Sequence, residues 1–306
     1  MTSTDQTDPS ASPLVVVTGA NGLVGAATCR ALLERGARVR GVVRREGTAP
    51  EGVEEVLGDF HDADVAATAV VGADAVVSTV HPLAGDLETQ HRVAVEGTPV
   101  LARAAVQAGV DRFVHVSTAA VYDRSPGTGD VDEHGALVGD DGGDYPVTKR
   151  DTDQALSEVD GLTRVLLRPP AILGAGESSV WNSVRPARIR DDADQRSANP
   201  DQSFAWIHVD DLARIAADVA TGAVALSTDP EQGPVAGACT PLNVAAEPAT
   251  VRSYHSTVTD ALGVEATWED GEVWTGAILA DRAHRWGWTP QVSLDSALTE
   301  LADGLR

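Results

Sequence analysis

A tyrosine and a lysine stand four residues apart in the chain, at Tyr145 and Lys149. In a helix this spacing places both side chains on one face, close enough for the phenol and the ammonium to interact. A neighbouring ammonium favours the phenolate and lowers the pKa of a phenol, which suits the phenol for proton transfer. The chain has three tyrosines and a single lysine, so chance alone would give this spacing in roughly one of a hundred such sequences. The two residues are therefore our first candidates for acid–base chemistry.

A glycine-rich segment, 18–25, follows an apolar run and leads into a helical pattern. Gly19 would allow the tight turn, Gly22 would let the backbone approach a pyrophosphate, and Gly25 would permit close helix packing. The phosphates would lie at the positive N-terminus of that helix. The segment therefore predicts a dinucleotide-binding loop, and a plain turn between strand and helix is the alternative.

The end of the second predicted strand selects the dinucleotide, because an acidic side chain there would repel a 2′-phosphate. The sequence has Arg44 at this position, and a guanidinium matches phosphate geometry. This residue favours NADP over NAD. The alternative is that Arg44 and Arg45 are merely solvated, since Glu46 follows directly.

Short Val-rich runs alternate with longer amphipathic stretches, which is typical of a parallel α/β sheet covered by helices. The predicted strands are 14–17, 38–43, 53–57, 73–80, 112–117 and 163–168, and the predicted helices are 24–35, 92–108, 147–159, 209–220 and 293–305. Residues 127–144, rich in Gly and Asp, are predicted to form a solvated loop. The expected fold is a doubly wound parallel sheet over 14–170, preceded by a flexible tail over 1–13. A smaller, mixed region over 171–306 follows, and about 204–222 of it should pack back on the sheet domain.

The composition limits the partners. The chain has 306 residues and a formal net charge of −23, with 22 arginines and one lysine. Nucleic acid and anionic membrane surfaces require clustered cations and are therefore disfavoured. Cys29 and Cys239 match no metal or redox spacing, which predicts no metal site and a reduced, cytoplasmic setting. The first 13 residues lack the pattern of a signal peptide, and no apolar run reaches about 18 residues.

Taken together, these motifs resemble the extended branch of the short-chain dehydrogenase/reductase superfamily, the NAD(P)-dependent epimerases, dehydratases and reductases. The resemblance implies a Rossmann fold and a homodimer formed through the helices 92–108 and 147–159. It rests on the glycine loop, on Tyr145 with Lys149, and on segments that follow in the family's order: GDFHD (58–62), VHVSTAAVY (114–122), LRPPAILGAG (167–176), FAWIHVDDLA (204–213), PLNV (241–244) and WGWTP (286–290).

The resemblance also implies roles for individual residues. Tyr145 would be the general acid or base at the substrate oxygen, Lys149 would lower its pKa and bond the nicotinamide ribose, and Thr118 would bond the same substrate oxygen. His208 and Asp210 fall in a segment that is usually structural in this family. The implied cofactor-binding residues are Gly19, Asn21, Gly22, Leu23, Val24, Gly25, Arg44, Asp59, Phe60, Val80, Tyr145, Lys149, Pro169, Ala171 and Ile172, and the implied substrate-binding residues are Trp181, Asn182 and Arg185.

Two departures from the family narrow the reaction. Ala119 and Ala120 stand where the sugar-nucleotide dehydratases usually carry an acidic pair, which disfavours elimination of water. Ala171 and Leu173 stand where the sugar-nucleotide epimerases usually have Asn and Tyr, which removes a polar anchor for the substrate. The sequence therefore favours an NADP-dependent reductase or dehydrogenase that acts on a carbonyl or a secondary alcohol.

Two alternatives stay open at this point. Arg185, Arg188 and Arg190 would bind an anionic substrate, or they would pair with the acidic residues at 191, 192 and 194. The first interpretation keeps a nucleotide-sugar epimerase with bound NAD as the alternative function. The second alternative is a non-catalytic, NADP-binding regulatory protein, although such relatives typically lack the Tyr and Lys of the catalytic set.

Overall fold

The computed structural model describes residues 12–82 and 86–306, so 1–11, most of the predicted tail, lie outside the described residues. Strands and helices alternate through the first half, because Val-rich runs are followed by helices that begin near a glycine or an aspartate. These elements are β1 (Leu14–Thr18), α1 (Leu23–Glu34), β2 (Arg38–Val43), β3 (Val53–Leu57), α2 (Ala63–Ala69), β4 (Ala75–Ser78), α3 (Leu87–Gln90), α4 (Gly97–Gln107), β5 (Arg112–Val116), α5 (Asp144–Ser157) and β6 (Thr163–Arg168).

The second half has shorter strands. These elements are β7 (Ala171–Leu173), α6 (Arg185–Asp191), β8 (Ser197–Ala198), β9 (Ser203–Phe204), β10 (Trp206–His208), α7 (Val209–Thr221), β11 (Cys239–Asn243), β12 (Ala249–Thr250), α8 (Val251–Leu262), β13 (Thr267–Trp268), α9 (Asp281–Arg285) and α10 (Leu294–Leu305). Within the described part of the chain, no helix combines the length and the hydropathy needed to cross a membrane.

The central sheet has seven strands in the order β11-β6-β5-β4-β1-β2-β3, and every pairing is parallel. Its strands are apolar on both faces because both faces are covered. One apolar layer joins the sheet to α1 and α7, and the other joins it to α2, α4 and α5. The predicted class, a doubly wound parallel α/β sheet, is confirmed. The strand order reverses between β1 and β4, which places a crevice at the carboxyl ends of these strands.

The region after Pro169 builds its own small core and also completes the sheet. Leu173, Trp206, Tyr254 and Leu301 are buried together in this core. Short strands hold it in place, with β7 pairing parallel to β10 and β9 pairing antiparallel to β12. The later segments α7 and β11 return to the central sheet, α7 by packing on α1 and β11 by pairing with β6.

Several elements differ from the sequence prediction. The strand β11 was not predicted because it is short and contains Pro241, which an edge strand tolerates. The helices α2, α6 and α8 were not predicted either, and α8 is rich in polar and β-branched residues that have weak helix propensity. The predicted helix 92–108 starts earlier, since the Asp86 carboxylate accepts a hydrogen bond from the backbone N–H of Thr89 at 2.9 Å and begins α3. A π-helical turn over His91–Glu96 then joins α3 to α4.

Candidate active site

A cleft of about 1500 Å³ opens at the carboxyl ends of the parallel strands. The segments that follow β1, β2, β3, β4 and β5 line one wall, together with Tyr145 and Lys149 of α5. Segments from the region after Pro169 line the opposite wall, among them Ala171 and Ile172. The cleft therefore lies where an open α/β sheet is expected to bind its ligands.

The glycine loop between β1 and α1 forms the floor of one end of this cleft. Gly19 has a φ of +65°, and a Cβ there would lie 2.9 Å from Val80 Cγ2. A Cβ on Gly25 would lie 2.0 Å from the carbonyl oxygen of Gly19, so only glycine lets the helix pack this closely. No side chain caps α1 at Gly22, and Asn21, Leu23 and Val24 also line the cleft. An uncapped helix N-terminus beside a glycine cradle fits the pyrophosphate of a dinucleotide.

The ends of the next strands line the same part of the cleft. Arg44 follows β2, Asp59 and Phe60 follow β3, and Val80 follows β4. Arg44 is exposed, and among the described residues no carboxylate lies within ion-pairing distance of it, Glu46 included. The guanidinium is thus available to an anionic ligand in the cleft.

Lys149 is buried at the base of the cleft, with 3% of its surface exposed. Its Nζ donates a hydrogen bond to the carbonyl oxygen of Val116, at the end of β5, at 2.8 Å. Burial lowers the pKa of Lys149 to about 8, although the carboxylate of Asp153 acts in the opposite direction. The single lysine of the chain is therefore held between α5 and the sheet, one helical turn after Tyr145.

The phenol of Tyr145 is half-buried in the cleft wall, with its pKa raised. Burial is the main cause, a hydrogen bond with Thr118 lowers the pKa in part, and the Asp153 carboxylate raises it again. The expected lowering of this pKa by Lys149 is contradicted here, because the phenol is desolvated and the Lys149 ammonium is bonded to Val116. A phenol with a raised pKa keeps its proton, which suits a proton donor.

Thr118 lies directly after the loop residue that follows β5, and it is buried. Its Oγ1 accepts a hydrogen bond from the backbone N–H of Ala120 at 3.1 Å and donates to the carbonyl oxygen of Pro169 at 3.4 Å. The same hydroxyl also bonds Tyr145. Pro169 lies behind the wall of the cleft rather than in it, and its carbonyl holds Thr118 in place. The structure thus brings together Thr118, Tyr145 and Lys149.

Three aromatic rings form the other end of the cleft. The ring of Trp181 meets Phe204 and Tyr254 edge-on, with centroids 5.2 Å and 5.3 Å apart. Phe204 and Tyr254 are stacked with their centroids 4.7 Å apart. The guanidinium of Arg185 lies over the Trp181 ring at 5.1 Å. This end of the cleft is apolar and flat-walled, with a cation at its edge.

The predicted substrate-binding residues are divided by the structure. Trp181 and Arg185 line the cleft, whereas Asn182 does not. Asn182 is buried, and its Oδ1 accepts a hydrogen bond from the backbone N–H of Gly174 at 3.0 Å. Its side chain therefore supports the loop after β7. Arg190 pairs with Asp191 at 2.9 Å, so the basic cluster is also divided between the cleft and the surface.

Sequence reasoning missed His81, which lines the cleft next to the catalytic candidates. Its ring meets the ring of Tyr145 edge-on, with centroids 5.0 Å apart. Burial and the nearby Lys149 ammonium lower the pKa of His81 to about 3, so the imidazole is neutral at physiological pH. The available signal was its position directly after Val80, at the end of a predicted strand.

His208 and Asp210 lie outside the cleft and have structural partners. The Nδ1 of His208 accepts a hydrogen bond from the backbone N–H of Asp210 at 3.3 Å and so caps α7. Its Nε2 lies 3.2 Å from a carboxylate oxygen of Glu300 in α10. Over the described ranges, no three His, Cys, Asp or Glu side chains are grouped so that they could hold a metal ion.

Comparison with known proteins agrees with this arrangement. The profile of the NAD dependent epimerase/dehydratase family matches residues 15–228. The chain is similar to a 4-hydroxy-2-methyl-3-oxo-4-farnesyl-3,4-dihydroquinoline-1-oxide ketoreductase of Stigmatella aurantiaca, with 32% identity over 57% of this chain and 56% of that protein. It is also similar to a 3 beta-hydroxysteroid dehydrogenase/Delta 5→4-isomerase of Mycobacterium tuberculosis, with 31% identity over 62% of this chain and 56% of that protein. The chain thus spans a little over half the length of these curated relatives.

A solved structure shares the fold over nearly the whole chain. It is an enzyme of Bordetella bronchiseptica in complex with NAD and UDP, with a TM-score of 0.72 and 19% identity. The match covers 95% of this chain and 93% of that one.

Proposed function

Because the chain belongs to the NAD dependent epimerase/dehydratase family, we propose that it is an NADP-dependent oxidoreductase. It transfers a hydride between the nicotinamide and a carbonyl or secondary alcohol substrate. The observation that carries this proposal is the meeting of Thr118, Tyr145 and Lys149 in one cleft with the glycine loop after β1. The ketoreductase and the hydroxysteroid dehydrogenase among the relatives support it.

The side chains account for the proton and the charge of the reaction. NADPH, when bound, supplies the hydride that adds to the carbonyl carbon. Tyr145 donates its proton to the carbonyl oxygen, and Thr118 donates a hydrogen bond to the same oxygen as negative charge develops there. Lys149 stabilises the phenolate that is left on Tyr145 and bonds the nicotinamide ribose. The alcohol product then carries the hydride on carbon and the proton on oxygen.

The walls of the cleft favour an apolar carbonyl substrate. Trp181, Phe204 and Tyr254 offer flat, apolar surfaces, which recognise ring systems and alkyl chains. Ala120 and Ala171 line the cleft beside the catalytic set and supply neither an acid for dehydration nor an amide for holding a sugar. A hydrophobic ketone or aldehyde fits this chemistry better than a sugar nucleotide.

The preference for NADP rests on Arg44, and binding measurements test it. Arg44→Ala should weaken NADPH binding about tenfold or more, the value of one charge-assisted hydrogen bond, and should leave NADH binding nearly unchanged. Arg45→Ala is the matched control, since Arg45 does not line the cleft. Tighter binding of NADH than of NADPH by the parent protein would refute the NADP assignment.

A nucleotide-sugar epimerase with bound NAD is the second candidate, favoured by one observation. Arg185 lies at the edge of the cleft, and no carboxylate of the described residues is paired with it. An epimerase retains its NAD through purification, whereas a reductase releases its cofactor after each turnover. Stoichiometric NAD in the purified protein would therefore favour the epimerase. A non-catalytic NADP-binding regulator is a third reading, which the retained Tyr145 and Lys149 disfavour.

We also propose a homodimer formed through α4 and α5 and a reduced, cytoplasmic setting. Support for the setting comes from Cys29 and Cys239, both of which are free thiols. Burial raises the pKa of Cys29 to about 12 and the pKa of Cys239 to about 11, so neither is reactive. Light scattering on the purified protein measures the oligomeric state.

A further inference from the structure

We propose that Asp153 is a positioning residue for Lys149, and that its carboxylate, held by Arg168, keeps the buried Lys149 side chain charged. Tyr145, Lys149 and Asp153 follow one another at intervals of four residues on α5, so they occupy one face of the helix. Lys149 and Asp153 are 3% and 4% exposed, respectively. A charge buried this deeply needs an opposite charge beside it.

Arg168 fixes the Asp153 carboxylate from the side of the sheet. The Nε and Nη2 of Arg168, at the end of β6, donate to Asp153 Oδ2 at 3.1 Å and 3.0 Å. The Nη1 of Arg168 donates to the hydroxyl of Tyr122 at 2.9 Å, and that hydroxyl donates to Asn243 Oδ1 at 2.8 Å. Four elements thus hold the carboxylate in one place below Lys149. A carboxylate with no freedom to move exerts a fixed field on the ammonium.

The other groups around Lys149 cannot take over this role. His81 and His115 face it from the ends of β4 and β5, and the pKa of each is lowered so that both are neutral. Gln90 and Thr148 carry no charge. The Cys239 thiol of β11 faces Asp153, and its pKa is raised to about 11. Among the described residues, Asp153 is therefore the anion that acts on Lys149.

The consequence is a lysine that stays protonated at neutral pH. Burial alone drives the pKa of a lysine down, to about 5 or 6 in fully buried examples, and such a lysine is a neutral amine at pH 7. In this chain the pKa of Lys149 falls only to about 8, since Asp153 opposes the effect of burial. A charged Lys149 is what the proposed reaction needs, and this inference rests on that proposed function for its purpose.

The single lysine makes the test direct. Lysine labelled with ¹³C at Cε gives one side-chain NMR signal in the whole chain, and its chemical shift reports the protonation of Lys149. The parent protein should titrate with a midpoint near the pKa of about 8. In Asp153→Asn, which keeps the shape and an acceptor for Arg168, the midpoint should fall by about one pH unit or more.

Two further variants separate charge from structure. Asp151→Asn removes the same charge from the same helix, but Asp151 pairs with Arg150 near the surface, so the Lys149 midpoint should not move. Asp153→Glu keeps the charge, and its midpoint should stay within about half a unit of the parent value, well inside the shift that a lost charge causes. Thermal unfolding of each variant shows that the folded protein is being titrated.

An unchanged or raised midpoint in Asp153→Asn overturns the proposal. If Asp153→Asn does not fold, the parent titration decides, because a parent midpoint below about 6 is that of a buried lysine without an anion. These measurements use no cofactor and no substrate, so they stand even if no carbonyl compound is turned over. Where turnover is found, Asp153→Asn should also move the alkaline limb of the pH profile to lower pH, whereas purely structural damage would lower activity equally at every pH.

Discussion

Lys149 is the residue at which sequence, burial and proposed chemistry meet. The spacing of Tyr145 and Lys149 predicts their common helix face, and the structure places both in one cleft wall. Burial could not be predicted from the same letters, because it depends on β5 and β6, which pack against α5 from distant parts of the chain. For that reason the direction of the Tyr145 pKa shift was predicted wrongly, while the identity of the two residues was not.

The substitution Lys149→Arg preserves the charge but should lower kcat about a hundredfold or more, the usual contribution of acid–base machinery. A planar guanidinium is larger than an ammonium and cannot replace it in the space below Val116. Steady-state NADPH oxidation measures the effect. Arg103→Lys, an exposed reverse exchange on α4, should leave kcat unchanged, and near-parental turnover in Lys149→Arg would remove Lys149 from the reaction.

The pH dependence follows from the same residue. The Lys149 ammonium is fully present below its pKa of about 8 and is lost as the pH rises through that value. The pKa of Tyr145 is raised, so the phenol keeps its proton over this range. The kcat/KM for NADPH, which reports the free enzyme, should therefore decline above pH 8. A profile that stays flat up to about pH 10, the ordinary range of a lysine, contradicts this account.

At the scale of elements, the glycine loop works because α1 lies unusually close to β1. Gly25→Ala would place a methyl group 2.0 Å from the backbone oxygen of Gly19, and backbone cannot move aside as a side chain can. The free energy of unfolding should fall by about 1–3 kcal/mol, as in other overpacked sites. Urea unfolding measures the change.

Gly304→Ala provides the matched control for that substitution. Gly304 lies in α10, and a Cβ there has no atom within 4 Å. The free energy of unfolding should rise by about 0.5–1 kcal/mol, because alanine favours the helix. Equal effects of the two substitutions would show that helix propensity, rather than close packing, decides the result at Gly25.

The elements of the first half were predictable from hydrophobic pattern, and those of the second half were less so. Predicted and observed bounds agree for β2, β3 and β6, whose Val-rich sequences leave little choice. The pairing of β11 with β6 joins segments about 75 residues apart and leaves no local signal. The cleft wall formed by Phe204 and Tyr254 depends on such long-range contacts, which is why the catalytic residues were easier to predict than the substrate-binding ones.

At the scale of the whole molecule, a net charge of −23 coexists with a cleft that contains arginines. Arg44 and Arg185 line the cleft, and no ion pair joins either of them to a carboxylate of the described residues. Most of the acidic surface repels anions, so these two positions would concentrate attraction for an anionic cofactor or substrate in one place. The same charge distribution gives no broad basic face for nucleic acid.

Hydride transfer is the central claim, and isotope transfer tests it most directly. The protein would be incubated with NADPH dideuterated at C4 and a panel of apolar ketones and aldehydes, and the products analysed by mass spectrometry. We predict an alcohol that carries one deuterium on the former carbonyl carbon, formed about a hundredfold or more slowly by Tyr145→Phe. An alcohol without deuterium, no alcohol from any member of the panel, or equal rates for Tyr145→Phe and the parent, would contradict the claim.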